Sequence, residues 1–236
     1  MNRHVHGLMI GAVLACTAAA PSRAAVIADL GMDFSLASNP NGVWTYSQAG
    51  TLNGPQTLLT NTATVMDGMN VVLVSWDNGI FAPGVGANPT NSVVTFIGTS
   101  TVVLDARQGW MHPGELGEYV VARLTVPSTV VATLAVTFEG VDQTGTTSDV
   151  HVWVNGVSQF SSGIIGFGTT ASYVATSAFN LGDVVDIYVG SGGNGWHFDS
   201  TGVVATLTTV PEPASLALLA AGISGLGMLR GRRRRA

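Results

Sequence analysis

Lysine is absent from all 236 residues, and of nine arginines only Arg107 and Arg123 lie between Ala25 and Val210. That stretch carries thirteen carboxylates, every Asp and Glu except Glu212, so two positive against thirteen negative leaves it near −11. A surface so short of cations cannot neutralise phosphates, which excludes nucleic acid as a partner. Cysteine is almost missing too. The sole one, Cys16, falls in a leader-like segment, so the exported part has no disulfide and no thiol chemistry and must be stabilised by packing. Between Val26 and Thr208 no apolar period of 3.6 residues appears, and glycine is too frequent for helices. Catalytic signatures are absent as well: no G-x-S-x-G, no H-E-x-x-H. Glu115 and Glu118 are the nearest approach to a glycosidase pair, but their spacing leaves undefined the separation that decides such a mechanism. The expectation is a protein that is not an enzyme.

What is present is a succession of short runs rich in Val, Thr and aromatics, cut by Gly, Asn, Asp and Pro. Strands are expected in "AVIADLGMDF", "GVWTYS", "NVVLVSW", "SVVTFIG", "EYVVARLTV", "VVATLAVTFEG", "VHVWVNG", "ASYVATSAF", "DVVDIYVG" and "GVVATLTT". Runs of this length at near-regular spacing predict an all-β antiparallel sandwich over residues 25–209. Asn155-Gly156 accepts the positive φ values of a type I′ turn, so "HVWVNGVSQF" predicts a hairpin. Val150, Val152 and Val154 then share one face, with His151 and Trp153 on the other. Asn180 to Asp183 predicts a tight turn.

The two ends have a different character. Residues 1–24 read as a signal peptide: a polar lead with Arg3, an apolar run from Gly7 to Ala20, and cleavage expected after Ala24. At the other end, Val210 begins "VPEPASLALLAAGISGLGMLRGRRRRA". A helix over 214–229 would rise about 24 Å at 1.5 Å per residue. That suits a single short crossing of the inner membrane, whose core is about 30 Å thick. Arg230, Arg232, Arg233, Arg234 and Arg235 then hold the C-terminus in the cytoplasm. Pro211 and Pro213 keep the segment ahead of the helix extended, open to a processing enzyme.

Pro211, Glu212 and Pro213, the apolar helix and the arginine cluster together resemble the PEP-CTERM sorting signal of Gram-negative bacteria. The resemblance implies cleavage by a membrane-embedded exosortase, then delivery to the cell surface or exopolysaccharide matrix. "NPNGVWTYS", "MHPGELGEYVVARLTVP", "TSDVHVWVNGVSQF" and "NLGDVVDIYVGSGGNGWHFDSTGVVATL" are similar to segments of exported bacterial sandwich domains that carry this tail. That second resemblance implies a jelly-roll topology of the galactose-binding-like, carbohydrate-binding-module kind.

Three polar stretches hold the candidate sites. "QGWMHPGELGEY" gathers Trp110, His112, Glu115 and Glu118: a ring able to stack on a sugar and groups able to hold a cation, or simply a turn at Pro113-Gly114. "GSGGNGWHFDSTG" is no phosphate loop, for no lysine follows it. Asn194 and Asp199 offer oxygens to calcium there, and Trp196 offers a sugar platform or a cap on the sandwich end. "SWDNGIFAPGVGANPTN" reads as the longest loop, with Asp77 and Asn78 as calcium ligands. Trp110, Trp153 and Trp196 are thus the candidate sugar-binding residues, and calcium is the one cofactor in view. A polysaccharide partner is the first expectation. The alternative is a structural or adhesive matrix protein with no pocket, and a polysaccharide hydrolase comes third.

Overall fold

Apolar residues alternating with threonine along "VVATLAVTFEG" make one face that must be buried and one that need not be, which is the requirement of a sandwich strand. In the computed structural model this run is an eleven-residue strand whose Ala132, Leu134, Val136 and Phe138 are buried. Residues 23–79, 82–97 and 100–211 are described, and Ala24–Val210 form one compact unit. The signal peptide (but for Arg23 and Ala24), Glu212, Pro213, the helix over 214–229 and the five terminal arginines lie outside the described residues.

The chain opens with β1 (Val26–Asp29), a single helical turn α1 (Leu30–Asp33), β2 (Trp44–Ala49) and β3 (Gln56–Leu58). Then come β4 (Asn61–Asp67), β5 (Asn70–Asp77), β6 (Gly84–Ala87) and the hairpin β7 (Val94–Ile97) and β8 (Thr101–Leu104). β9 (Gly109–His112), β10 (Tyr119–Thr125), β11 (Val130–Gly140) and β12 (Asp149–Val154) follow. The last are β13 (Val157–Gly163), β14 (Thr170–Phe179), β15 (Val184–Gly190) and β16 (Thr201–Thr209).

One sheet runs β14-β11-β16-β9-β6-β5-β4, with β1 also on β16, and the other runs β13-β12-β15-β10-β2-β3. Every pairing between these strands is antiparallel. From β10 onward the chain crosses repeatedly from one sheet to the other, as a jelly roll does. The expected all-β antiparallel sandwich is what the chain forms.

The main core fills the space between the sheets, with Trp44, Tyr46, Met111, Leu134, Phe138 and Ile187 among its members. A second, smaller core lies where the β7–β8 hairpin brings Phe96, Val102 and Leu104 against Trp110 and Leu73. The Asn155-Gly156 turn has φ of 50° and 74°, as a type I′ turn demands. Val150 and Val152 face the core, as their alternation predicts.

Two expectations need correction. "AVIADLGMDF" does not continue as a strand, because the Asp29 carboxylate accepts from the amides of Gly31 and Met32 and caps α1. The Ser75–Asn91 stretch is not one long loop: it holds the end of β5 and all of β6, which is fully buried between β5 and β9. Only glycine fits at position 86. A Cβ on Gly86 would lie 2.5 Å from the Val74 carbonyl oxygen.

Candidate functional site at the loop end of the sandwich

Register places most of the candidate residues at one end of the sandwich. Asp77 pairs with Gly84, and Gly84 pairs with His112, so the ends of β5 and β9 lie together. Asp149 pairs with Gly190, which brings the start of β12 beside the loop 191–200 that carries Asn194, Trp196 and Asp199. Trp153 sits four residues further along β12, away from that end.

The 191–200 loop is held from two sides. The Gly192 amide donates to Asp149 Oδ1 at 2.8 Å, and Asn194 Nδ2 donates to Thr147 Oγ1 at 2.9 Å. Asp199 Oδ1 accepts from the Thr147 amide and hydroxyl at 2.9 and 2.8 Å. Asn194 and Asp199 are thus joined through Thr147, a residue that no motif singles out. Asp199 is fully buried, and its Oδ2 has no hydrogen-bond partner among the described residues. Burial pushes its carboxyl up to about 6; the Thr147 bonds pull the other way, while Asp142 and Asp149 reinforce the rise.

Beside this loop, Trp196 is half-buried. Its ring lies 5.8 Å from that of His112, edge to face at 78°, and 4.6 Å from that of His197. His112 Nδ1 is 2.9 Å from the Pro113 carbonyl oxygen. Burial above all holds the His112 imidazole below its usual value and therefore neutral near pH 7. On the neighbouring face of β12, His151 Nε2 meets Asp149 Oδ2 at 2.8 Å, and Tyr119 also hydrogen-bonds to Asp149. Burial alone would raise the Asp149 carboxyl, yet the bonds from His151, Gly192 and Tyr119 leave it below the ordinary range. The same burial and the Asp149 charge push the Tyr119 phenol up to about 12. Asp149 and His151 stand two apart on one strand, so alternation alone puts them on the same face; that signal was there to be read.

The three tryptophans do not form one platform. Trp110 is fully buried under the β7–β8 hairpin, so it is a core residue with no face for a sugar, contrary to expectation. Trp153 packs on the outer face of the smaller sheet, 6.4 Å from the Tyr188 ring. Only Trp196 combines partial exposure with the loop end. Asp77, buried, closes its own turn by accepting from the Gly79 amide at 2.6 Å, while Asn78 beside it is exposed. Among the described residues no group of three His, Cys, Asp or Glu gathers to hold a metal. No helix among the described residues is long and apolar enough to cross a membrane. Pro211 leaves β16 in irregular, exposed backbone.

Residues 209–235 match the family model of the PEP-CTERM protein-sorting motif, so the chain carries that motif at its C-terminal end. No curated protein matches it in sequence. Among solved structures, a family 51 carbohydrate-binding module from Clostridium perfringens in complex with methyl-galactose is 12% identical, at a TM-score of 0.33 over 50% of this chain and 80% of that one. A second from that organism, the CBM51-2 and INT domains of ZmpB in complex with GlcNAc, is 10% identical, at a TM-score of 0.39 over 80% of this chain and 40% of that one. A family 35 carbohydrate-binding module from Clostridium thermocellum is 12% identical, at a TM-score of 0.29 over 63% and 88%.

Proposed function

We propose that the chain is an exported, non-catalytic protein that binds polysaccharide through the loop end around Trp196. In this proposal exosortase processes the tail near Pro211, Glu212 and Pro213 after transient anchoring in the inner membrane, and passes the protein to the cell surface or the extracellular matrix. The observation that carries the binding is Trp196 itself: a half-exposed indole at the mouth of a loop that also presents Asn194 and His197. An apolar ring flanked by hydrogen-bonding groups suits a sugar, whose ring faces are apolar and whose rim is polar. Trp153 is a secondary platform on the sheet face.

A calcium ion at this end would draw on Asp199 and Asn194, with backbone carbonyls of the glycine-rich loop as further oxygen donors. A buried carboxylate oxygen without a partner is what a cation would satisfy. Asp77 and Asn78 are a weaker calcium candidate, since the Asp77 carboxylate already closes its turn.

Co-sedimentation with the producing organism's exopolysaccharide, with and without a chelator, tests the proposal. Saturable binding that Trp196→Ala abolishes supports it. Its absence in both conditions would leave a structural or adhesive matrix protein. For the tail, deleting Pro211–Ala236 is expected to release the protein into the medium or mis-sort it; unchanged processing and location would reject that part.

A further inference from the structure

Among the described residues β14 is the outermost strand of the larger sheet and forms its ladder with β11 alone. It is ten residues long, Thr170–Phe179, and holds no charge, no proline and no glycine. β13, the outermost strand of the other sheet on the same side, is equally without charge. An uncovered edge presents a row of unpaired amides and carbonyls ready to accept another strand, and proteins ordinarily guard such rows. This one guards its opposite edges: β4 carries a bulge between Val65 and Met66 and ends in Asp67, while β3 is three residues long and follows Pro55. The β14 edge has none of these devices.

Charge points to the occupant. With thirteen carboxylates against two arginines between Ala25 and Val210, two copies of this chain repel each other over most of their surface. The stretch along β14 and β11 carries no charge until Glu139, opposite Thr170. Val131, Val174 and Val204 are exposed there at 53, 67 and 48%. Around them Thr133 and Thr176, and Thr137 and Ser172, satisfy each other's hydroxyls at 2.8 and 3.0 Å. A neutral face bordering an unguarded strand is the cheapest approach for a like-charged copy.

We propose that a second copy of this chain joins along β14, the two β14 strands pairing antiparallel across a two-fold axis. A two-fold contact is self-complementary, so one neutral strand suffices on each side. β14 starts beside Glu139, at the loop end of the sandwich. Antiparallel pairing therefore points the two loop ends in opposite directions. Where those ends bind polysaccharide, as proposed above, the dimer would bridge two polymer chains; the pairing itself does not depend on that reading.

The test uses the full chain in a Cys16→Ser background, so that any introduced thiol is unique. Ser172→Cys, Val174→Cys, Thr176→Cys and Ala178→Cys are oxidised mildly and run without reductant. In a two-fold antiparallel pair each residue faces one whose number sums with its own to a constant. The expected result is disulfide-linked dimer peaking at one position, and mixed dimers for variants equidistant from it. Adding Val174→Lys, which sets like charges against each other, should abolish the dimer while leaving the circular dichroism spectrum unchanged. Absence of dimer at all four positions would overturn the proposal, as would equal cross-linking from Ala63→Cys on β4. Because no sugar enters the assay, failure here and failure of polysaccharide binding are separate results.

Discussion

Thr147 holds one oxygen of Asp199 with both its amide and its hydroxyl, at 2.9 and 2.8 Å, and leaves the other oxygen buried with no partner among the described residues. Burial raises the folded-state pKa to about 6, above the ordinary 3.8. The folded chain therefore takes up this proton more readily than the unfolded chain. The stability Asp199 contributes is full below about pH 4 and is lost as pH rises through about 6. In the presence of a chelator, Tm should fall between about pH 4 and 6 more steeply for the native chain than for Asp199→Asn, whose amide oxygen can still accept from Thr147. Calcium added at pH 7 should raise Tm of the native chain and leave the variant unmoved. Equal pH slopes for the two would remove Asp199 from the account.

Gly192 is the point where the loop could fail. Its φ is +62°, and a Cβ there would lie 2.0 Å from the Thr147 carbonyl oxygen. Gly192→Ala should push the loop off Thr147 and break the 2.8 Å bond to Asp149. A loss of about 1–3 kcal/mol is expected in urea unfolding, from backbone strain and a lost hydrogen bond. Polysaccharide binding should fall with it, because Trp196 rides on the same loop. A variant as stable as the native chain would show that the loop relaxes without cost.

Local rules made much of the sandwich legible. Val150, Val152 and Val154 announced a buried face, and Asn155-Gly156 announced its turn. β6 was hidden because "GVGA" is half glycine and offers one branched side chain, Val85, and no aromatic; it is a strand because Gly84, Gly86 and Ala87 are small enough to pass between β5 and β9. The tail motif could be read because its parts are contiguous in sequence. The site could be read only by halves. Asn194 and Asp199 are neighbours in sequence, but the residue that joins them, Thr147, is 52 positions from Asp199. Trp110 stands in a polar stretch with every appearance of exposure. Its cover comes from a hairpin that no local pattern assigns to it.

Arg123 offers an electrostatic check on the smaller sheet. Its Nε and Nη2 reach Asp186 Oδ1 and Oδ2 at 2.6 and 2.9 Å, and Asp186 is 2% exposed. Arg123→Ala removes the only cation on a buried carboxylate among the described residues, at an expected cost of about 1–3 kcal/mol in urea unfolding, since the Arg123 side chain is a third exposed and Gln56 still donates to Asp186. Replacing both, Arg123→Leu with Asp186→Leu, should recover much of that loss, since apolar pairs often match buried ion pairs. A double variant as unstable as the single one would mean that Gln56, which also donates to Asp186, and not the ion pair, sets the local geometry.

Trp110 and Trp196 both flank His112, with ring centroids 5.8 Å away in each case, yet they should behave as opposites. Trp110 fills the small core beneath the hairpin, so Trp110→Ala removes a fully buried ring and opens a cavity. The expected loss is about 3–5 kcal/mol, with polysaccharide binding retained at temperatures where the variant stays folded. Trp196 is half-buried on a loop, so Trp196→Ala should cost about 1 kcal/mol or less while abolishing binding. Thermal unfolding and co-sedimentation on the same two variants separate stability from recognition. Binding lost only in proportion to unfolding in both variants would make Trp196 another packing residue and remove the loop end as the site.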